Sequence, residues 1–456
     1  MKENPSALLV DYYSLTMAAV YHAQQRNALA TFELFVRSLP KERSFLVACG
    51  IDEAMRYLAD WRFTAEDIRQ LKPMGLPRDF LHFLKQLRFT GDVWAMKEGT
   101  VVFPEEPILR VTAPLVQAQL VEAFLLNAIN LQTVIASKAS RVVLAAQGAP
   151  VVDFSLRRTQ GPDAAVLGAR ASYLAGCAGT SNVLAGTRFG IPVMGTMAHS
   201  FVMAFPDELT AFRAYARLFP ESTILLLDTY NYEQGLRNAM IVAAELKRQG
   251  RRLQGVRLDS GDLAAVSRRV RQALNKQGFS GVRIVASGDL DEYKISRLKQ
   301  QRAPIDSFGV GTHMGVSSDA PFCNVIYKLT EIEDPAGRFQ PVMKLSEAKH
   351  TVPGRKQVFR RQDRFGQYQG DVISRADEKS VGIALLHPAM RNGTIIGKAD
   401  SLRQTREYIR EQVAALPLSV KKLRQAGVYS VVKSRGLQRL MQAVCRRMKT
   451  GAQECI

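Results

Sequence analysis

The sequence predicts an α/β protein: a parallel α/β (TIM-like) barrel that carries the chemistry, a mixed α/β N-terminal domain before it, and a C-terminal return segment after it. Three observations lead there. Between about residues 150 and 330, short β-branched runs alternate with amphipathic helical stretches, the rhythm of a parallel sheet with crossover helices. Nearly every one of those runs ends in a cluster of reactive or anion-binding residues, and barrels build their active sites from the loops after the strands. The segments on either side lack this rhythm, and 456 residues exceed one ordinary domain.

Residues 1–145 form the first expected segment. Hydrophobic periodicity predicts helices over 14–25, 51–61 and 77–86, and strands over 30–36 and 101–111. The apolar stretch 115–144 reads as one or two buried helices, because Asn127, Asn130, Gln132 and Ser137 interrupt it. Residues 146–335 form the expected barrel. Its strands are placed at 151–154, 191–195, 223–227, 255–258, 282–286 and 306–310. Its helices are placed at 163–177, 207–216, 232–248, 262–276 and 291–300, with a short one near 182–188. Residues 336–456 are basic, first β-rich and then helical, and are expected to pack back on the N-terminal domain. Lys344, Lys349, Arg355, Lys356, Arg360, Arg361 and Arg364 crowd the first part.

Composition narrows the function classes. With 46 % hydrophobic and 23 % charged residues the chain can bury a large core, which excludes disorder as its main state. No apolar run reaches the roughly 18 residues of a membrane helix, so no membrane span is expected. The start MKENPSALLVDYY does not read as a secretory signal, and five cysteines without a CxxC pair point to reduced thiols and a cytoplasmic location. The net charge of +20 fits nucleic acid, a heavily phosphorylated small substrate, or a solvated basic surface. Composition leaves the three open. No aromatic-basic recognition motif or helix-turn-helix pattern favours nucleic acid, and no nucleic-acid partner is expected.

The strand-end clusters offer specific chemistry. Ser287-Gly288-Asp289 and Gly309-Val310-Gly311-Thr312 place glycines where backbone amides can approach phosphate oxygens. Arg157 and Arg158 follow a buried-looking strand and suit bidentate pairing with carboxylate or phosphate. Phe154 is either a core residue or a face for a flat ring. His199, in GTMAHS, stands one strand before Asp228, which could orient its imidazole. Asp259, Asp262 and Asp289 are either Mg²⁺ candidates beside a pyrophosphate or, for the first two, helix caps. No GxxxxGK[ST] or GxGxxG pattern supports a P-loop or a Rossmann site. A lyase-type sugar-phosphate barrel would need a lysine on a barrel strand, and none of the expected strands has one.

These stretches closely resemble the nicotinate phosphoribosyltransferase family. The matching pieces are VDYYSLTMA (10–18), FELFVRSLP (32–40), FSLRRTQGPD (154–163), GTSNVLAG (179–186), GTMAHSFVMAF (195–205), LLDTYN (226–231), VRLDSGDL (256–263), ASGDLDE (286–292), FGVGTHM (308–314) and PGRKQVFR (353–360), in family order. The resemblance implies transfer of phosphoribosyl from phosphoribosyl pyrophosphate to nicotinic acid, giving nicotinate mononucleotide and pyrophosphate in NAD biosynthesis. It implies coupling to ATP hydrolysis through a phosphohistidine, a requirement for Mg²⁺, an irregular barrel, and a homodimer with sites at the subunit interface.

Carried onto this sequence, the resemblance makes His199 the phosphorylated histidine and Asp228 its orienting partner. Phe154 becomes one face of an aromatic sandwich around the pyridine ring, and Tyr13 of the second subunit the other. Arg157 is implied as the partner of the nicotinate carboxylate, and Arg257 and Asp259 as ribose and phosphate contacts. Gly288 and Asp289 are implied at the ribose phosphate, and Gly311 and Thr312 at the 5′-phosphate. Asp259 and Asp289 remain the Mg²⁺ candidates. Thr180 and Ser181 lie where the related nicotinamide-using enzymes carry an acidic residue, so Ser181 favours the acid over the amide. Val10 departs from the Thr usual in the family. The nicotinamide phosphoribosyltransferases are the alternative within this fold, and a basic nucleic-acid-binding protein is the alternative from another class.

Overall fold

The protein is described by a computed structural model that covers residues 6–345 and 351–453. Lys349, His350 and Cys455 lie outside the described residues. Its contacts group into two compact units, Ile135–Pro321 and the pair of segments Met1–Val134 and Phe322–Ile456. The expected boundary at 145/146 falls inside the helix Glu122–Ala146, and that at 335/336 just after the strand Val325–Glu333.

The unit Ile135–Pro321 is a parallel α/β sheet. Six strands lie in the order Gly179–Thr180, Val151–Asp153, Ser307–Val310, Arg283–Ala286, Gly255–Leu258, Ile224–Leu226. Their ladders are parallel throughout. Leu225, Leu226, Val256, Leu258, Ile284, Phe308 and Val310 are buried, as continuous apolar strands covered on both faces must be. Between them run Pro162–Leu174, Val183–Phe189, Glu208–Leu218, Tyr232–Arg248, Leu263–Lys276 and Glu292–Gln300. Asn182, Asp207, Asn231, Asp262 and Asp291 each cap the following helix by accepting a backbone N–H.

Two expectations for this sheet change. The run 191–195 is not a strand: it contributes one bridge, Thr180 to Val193. Pro192 has no N–H to give a ladder, and Val193 and Met194 are solvent-exposed. The pairing goes instead to Gly179–Thr180, two residues with no β-branched run to mark them. A closed barrel was expected, but no ladder among the described residues joins Gly179–Thr180 to Ile224–Leu226.

The other unit holds an antiparallel sheet in which Leu29–Val36 lies between Val325–Glu333 and Pro107–Pro114. The expected strand 101–111 is two strands, Val101–Val102 and Pro107–Pro114. Pro104 and the left-handed Glu105 (φ 67°) break it between them. A second sheet sets Lys356–Gln362 against Tyr368–Arg375. Helices Leu402–Ala414 and Arg435–Gln453 follow in the basic segment.

Several of the basic residues prove to be structural. Arg360 is 1 % exposed and chelates Asp371, with Nε 3.1 Å from both carboxylate oxygens and Nη2 2.6 Å from Oδ2. Tyr429 donates to Asp371 Oδ1 at 2.9 Å. Burial, with the charge of Asp371 added, lifts the Glu106 carboxyl well above its usual range despite Arg360. Lys356 is buried as well and pairs with Glu33 at 2.7 Å.

The apolar stretch Leu115–Ala146 is long and apolar enough to cross a membrane by length and composition, contrary to expectation. The protein treats it as core: 67 % of its apolar window is buried. Within the parallel unit its Lys138 meets Glu292 at 2.5 Å and Asp319 at 2.7 Å, and its Arg141 meets Glu292 at 3.0 Å.

Candidate active site

The carboxyl ends of the parallel strands carry the candidate residues, and adjacent strands bring them together. The strand Gly255–Leu258 delivers Arg257, whose guanidinium is held by four acceptors. Nε donates to Ser287 Oγ at 2.7 Å, Nη1 to Thr196 Oγ1 at 3.1 Å and to Met197 O at 3.2 Å, and Nη2 to Asp259 Oδ1 at 2.6 Å. One side chain therefore ties together the loops after Gly255–Leu258 and Arg283–Ala286 and the segment at Thr196–Met197. Arg257 also lies 5.6 Å from the centroid of the Phe154 ring. These partners make Arg257 a strut of the site, where the sequence placed it among the ribose and phosphate contacts.

Asp259 is the second member of this cluster. It accepts from Arg257 and from Ser287 Oγ, and its Oδ2 lies 3.9 Å from His199 Nε2. Burial pushes its carboxyl up, but the Ser287 hydrogen bond and the charges of Arg257 and His199 outweigh burial and hold it below the ordinary value.

His199 opens the short helix His199–Met203, with its side chain 41 % exposed. Its Nδ1 lies 3.3 Å from Thr229 Oγ1. The described partners of the ring are thus Thr229 and Asp259, while Asp228 accepts from Ser260 Oγ at 2.7 Å. Asp228 Oδ1 is buried without a hydrogen-bond partner, beside a cavity of about 370 Å³ that Tyr230, Tyr232 and Arg269 also line. Asp228 and Thr229 are consecutive, so sequence spacing alone could not choose between them.

Phe154 and the arginines follow the strand Val151–Asp153. Phe154 N–H donates to Val310 O at 2.8 Å, which seats the ring against the neighbouring strand. A Cβ on Gly309 would stand 2.4 Å from Phe154 Cε2, so the glycine leaves room for the ring. Arg157 and Arg158 sit on the turn Leu156–Arg158 and are both exposed, not buried at the strand end. Neither guanidinium has a hydrogen bond or ion pair among the described residues. Asp153, deeply buried, accepts from Ser155 N–H and from Thr180 Oγ1 at 2.8 Å, and burial raises its carboxyl. Thr180 is fully buried and committed to Asp153, whereas Ser181 is half-buried next to it.

The last two loops carry the glycines. Gly288 has φ 90°, and a Cβ there would stand 1.7 Å from Asp259 O, so only glycine fits. Asp289 pairs with Lys294 and with His313, each at 2.8 Å, and the Lys294 hydrogen bond leads in lowering its carboxyl. Gly311 precedes the helix Thr312–Gly315, whose first amides have no intrahelical acceptor.

Asp259 and Asp289, the Mg²⁺ candidates, stand on separate loops, and each has cationic neighbours. Their oxygens already face Arg257, Ser287, His199, Lys294 and His313, and no group of three His, Cys, Asp or Glu side chains among the described residues could hold a metal ion. Asp262 caps its helix through Ala264 and Ala265 N–H, as the capping alternative held. Tyr13 belongs to the other unit, on the helix Tyr12–Ala23, and is 52 % exposed.

Comparison with known proteins gives this arrangement a family. Residues 8–130 match the N-terminal domain of nicotinate phosphoribosyltransferase, residues 150–355 the family's central region, and residues 383–441 its C-terminal domain. The chain belongs to the nicotinate phosphoribosyltransferase family. It is 47 % identical to a nicotinate phosphoribosyltransferase of Mycobacterium tuberculosis, over 94 % of this chain and 91 % of that protein. It is 42 % identical to one of Bacillus subtilis, over 83 % of this chain and 78 % of that protein. The crystal structure of human nicotinic acid phosphoribosyltransferase superposes with a TM-score of 0.85 at 30 % identity, covering 95 % of this chain and 99 % of that one. That of nicotinate-nucleotide pyrophosphorylase from Pyrococcus furiosus gives 0.72 at 26 % identity, covering 90 % and 95 %.

Within this family site, sequence reasoning did not single out Thr229, Thr196, Ser287, Lys294 and His313 as functional. Thr196, Thr229, Ser287 and His313 did stand in its strand-end clusters. What marks them is hydrogen-bond geometry, and a lone hydroxyl or imidazole in a polar loop gives no sequence signal of that.

Proposed function

We propose that the chain catalyses the family reaction, transfer of phosphoribosyl from phosphoribosyl pyrophosphate to nicotinic acid, coupled to ATP through phosphorylation of His199. The cluster of Arg257, Asp259 and Ser287 at the strand ends, with His199 beside it, carries this reading. The pyridine nitrogen attacks C1′ of the ribose as the C1′–O bond to pyrophosphate breaks, and the departing pyrophosphate keeps the electron pair. The carbon passes through an oxocarbenium-like state. Fixed charges that need no reorganisation are what such a state requires.

The residues divide this work. Arg157, with an unpaired guanidinium, takes the nicotinate carboxylate. Phe154 stacks on the pyridine ring, and Tyr13 of a second subunit closes the other face, which makes the working form a homodimer. Ser181 leaves room for a carboxylate where an acidic side chain would repel it, so nicotinic acid is preferred to nicotinamide. Asp289, Gly288, Gly311 and Thr312 receive the ribose and its phosphate. Mg²⁺ arrives as the counter-ion of the phosphorylated substrates.

At His199, Thr229 faces Nδ1, and Nε2 lies 3.9 Å from Asp259 Oδ2 on a side chain that is 41 % exposed. Nε2 attacks the γ-phosphorus of ATP, ADP departs, and later hydrolysis of the phosphohistidine drives the transfer toward product. The irregular barrel implied by the family would need the run 191–195, bridged to Thr180 through Val193, to extend the sheet toward Ile224–Leu226. The free thiols of Cys49, Cys177, Cys323 and Cys445 support a cytoplasmic enzyme.

Product analysis with nicotinic acid, phosphoribosyl pyrophosphate and Mg²⁺, with and without ATP, tests the reading. Nicotinate mononucleotide is expected in both, with more in the presence of ATP. His199→Ala is expected to abolish the ATP stimulation and acid-labile ³²P labelling. Survival of both would remove the phosphohistidine, and a preference for nicotinamide would remove the role of Ser181.

A further inference from the structure

Asp289 is held in a way that its own segment does not explain. Its backbone is left-handed at φ 50°, a region that non-glycine residues enter uncommonly and Asp more readily than most. One anchor is local: Lys294, five residues on, meets its Oδ2 at 2.8 Å and its carbonyl at 2.6 Å. The other comes from the neighbouring strand's loop. His313 Nε2 lies 2.8 Å from Asp289 Oδ1, and His313 Nδ1 lies 2.8 Å from Ser318 Oγ. The strands beneath pair in parallel, Val285 with Ser307 and Ala286 with Phe308, so the two loops leave the sheet side by side.

We infer that His313, backed by Ser318, is a positioning residue for the phosphoribosyl end of the site, holding Asp289 and the Ser287–Asp289 turn in register with the Gly309–Thr312 loop. This rests on the proposed phosphoribosyl transfer. A carboxylate offers about four lone-pair sites. Lys294 and His313 take one on each oxygen and leave the others for ligand hydroxyls. Without His313 the carboxylate can swing toward Lys294, and the two loops lose their side-chain link through Asp289. Ser318 fixes the imidazole by engaging Nδ1, which leaves Nε2 to meet Asp289.

The test combines calorimetric titration with phosphoribosyl pyrophosphate and steady-state kinetics on the full chain. His313→Ala is expected to weaken phosphoribosyl pyrophosphate binding and raise its KM roughly fivefold, the scale of one half-exposed ion pair. The KM for nicotinate is expected to stay unmoved. His313→Gln, which returns an N–H near the position of Nε2, is expected to recover most of the loss. Ser318→Ala is expected to show a smaller loss in the same direction, and these two variants carry the test should His313→Ala fail to fold. The inference is overturned if wild type binds phosphoribosyl pyrophosphate and the variants bind it equally well, if glutamine is no better than alanine, or if the nicotinate KM rises in step. If wild type neither binds phosphoribosyl pyrophosphate nor turns over, the proposed function itself fails, and the inference with it.

Discussion

Replacing Arg257 by alanine removes the strut of the candidate site, and the structure allows its cost to be worked out. The side chain is 14 % exposed, and its partner Asp259 is 28 % exposed. Breaking a buried pair by deleting one partner costs about 3–5 kcal/mol, because the remaining charge stays desolvated. Partial exposure of Asp259 places this case at about 3 kcal/mol. For a unit of this size each kcal/mol shifts the midpoint by about 2–4 °C, so Tm is expected to fall by about 6–12 °C.

The pH dependence of that loss distinguishes the stated cause from simple cavity formation. In wild type, Asp259 is held below its ordinary value, so its contribution is present above the unfolded pKa and fades as pH falls through the folded one. In the variant the burial effect is left with one major opponent removed, so the carboxyl rises. The gap in Tm is therefore expected to be widest near neutrality and to narrow toward about pH 4. Arg257→Lys keeps the charge but not the four-acceptor fork, and is expected to fall between the two. Thermal denaturation across pH measures all three. A gap that is absent, or that widens in acid, would refute the reasoning.

Three further outcomes are expected. Gly309→Ala drives a methyl into the Phe154 ring and is expected to raise the KM for nicotinate, with an overpacking cost of about 1–3 kcal/mol seen by denaturation. Ser181→Asp places a like charge near the proposed carboxylate pocket, and competition kinetics are expected to show nicotinate disfavoured at least about tenfold while nicotinamide changes little. Burial, with the charge of Asp371 added, raises the Glu106 carboxyl above its unfolded value, so its contribution to stability fades as pH rises above the unfolded pKa. Glu106→Gln is expected to gain Tm relative to wild type as pH rises above about 4.3, the unfolded value of a glutamate.

Much of the parallel sheet was legible because its strands are mostly buried and several of its helices are long and amphipathic. Tyr232–Arg248 and Gly255–Leu258 lie where periodicity placed them. The run 191–195 was misread because its apolar residues look like a strand, whereas Pro192 denies it a ladder and Val193 faces solvent. The strand Gly179–Thr180 was missed because two residues carry no period. The same limit applied to the site. His199, Arg257 and Asp259 were identifiable as chemistry-bearing types at strand ends, but their partners were not.

The sequence by itself determined the α/β rhythm, the strand-end location of the reactive residues and the family, because these depend on local periodicity and on long matching segments. Only the tertiary structure decided which charges do which work. Of the +20 charge, Arg257 and Arg360 are locked by carboxylates and neighbouring acceptors, while the exposed guanidinium groups of Arg157 and Arg158 have no partner among the described residues. It likewise set Thr229 and not Asp228 against the His199 ring, and linked Asp289 to His313 across two strands. Those choices depend on distances of a few ångströms between residues far apart in the chain, and charge and spacing along a sequence do not encode such distances.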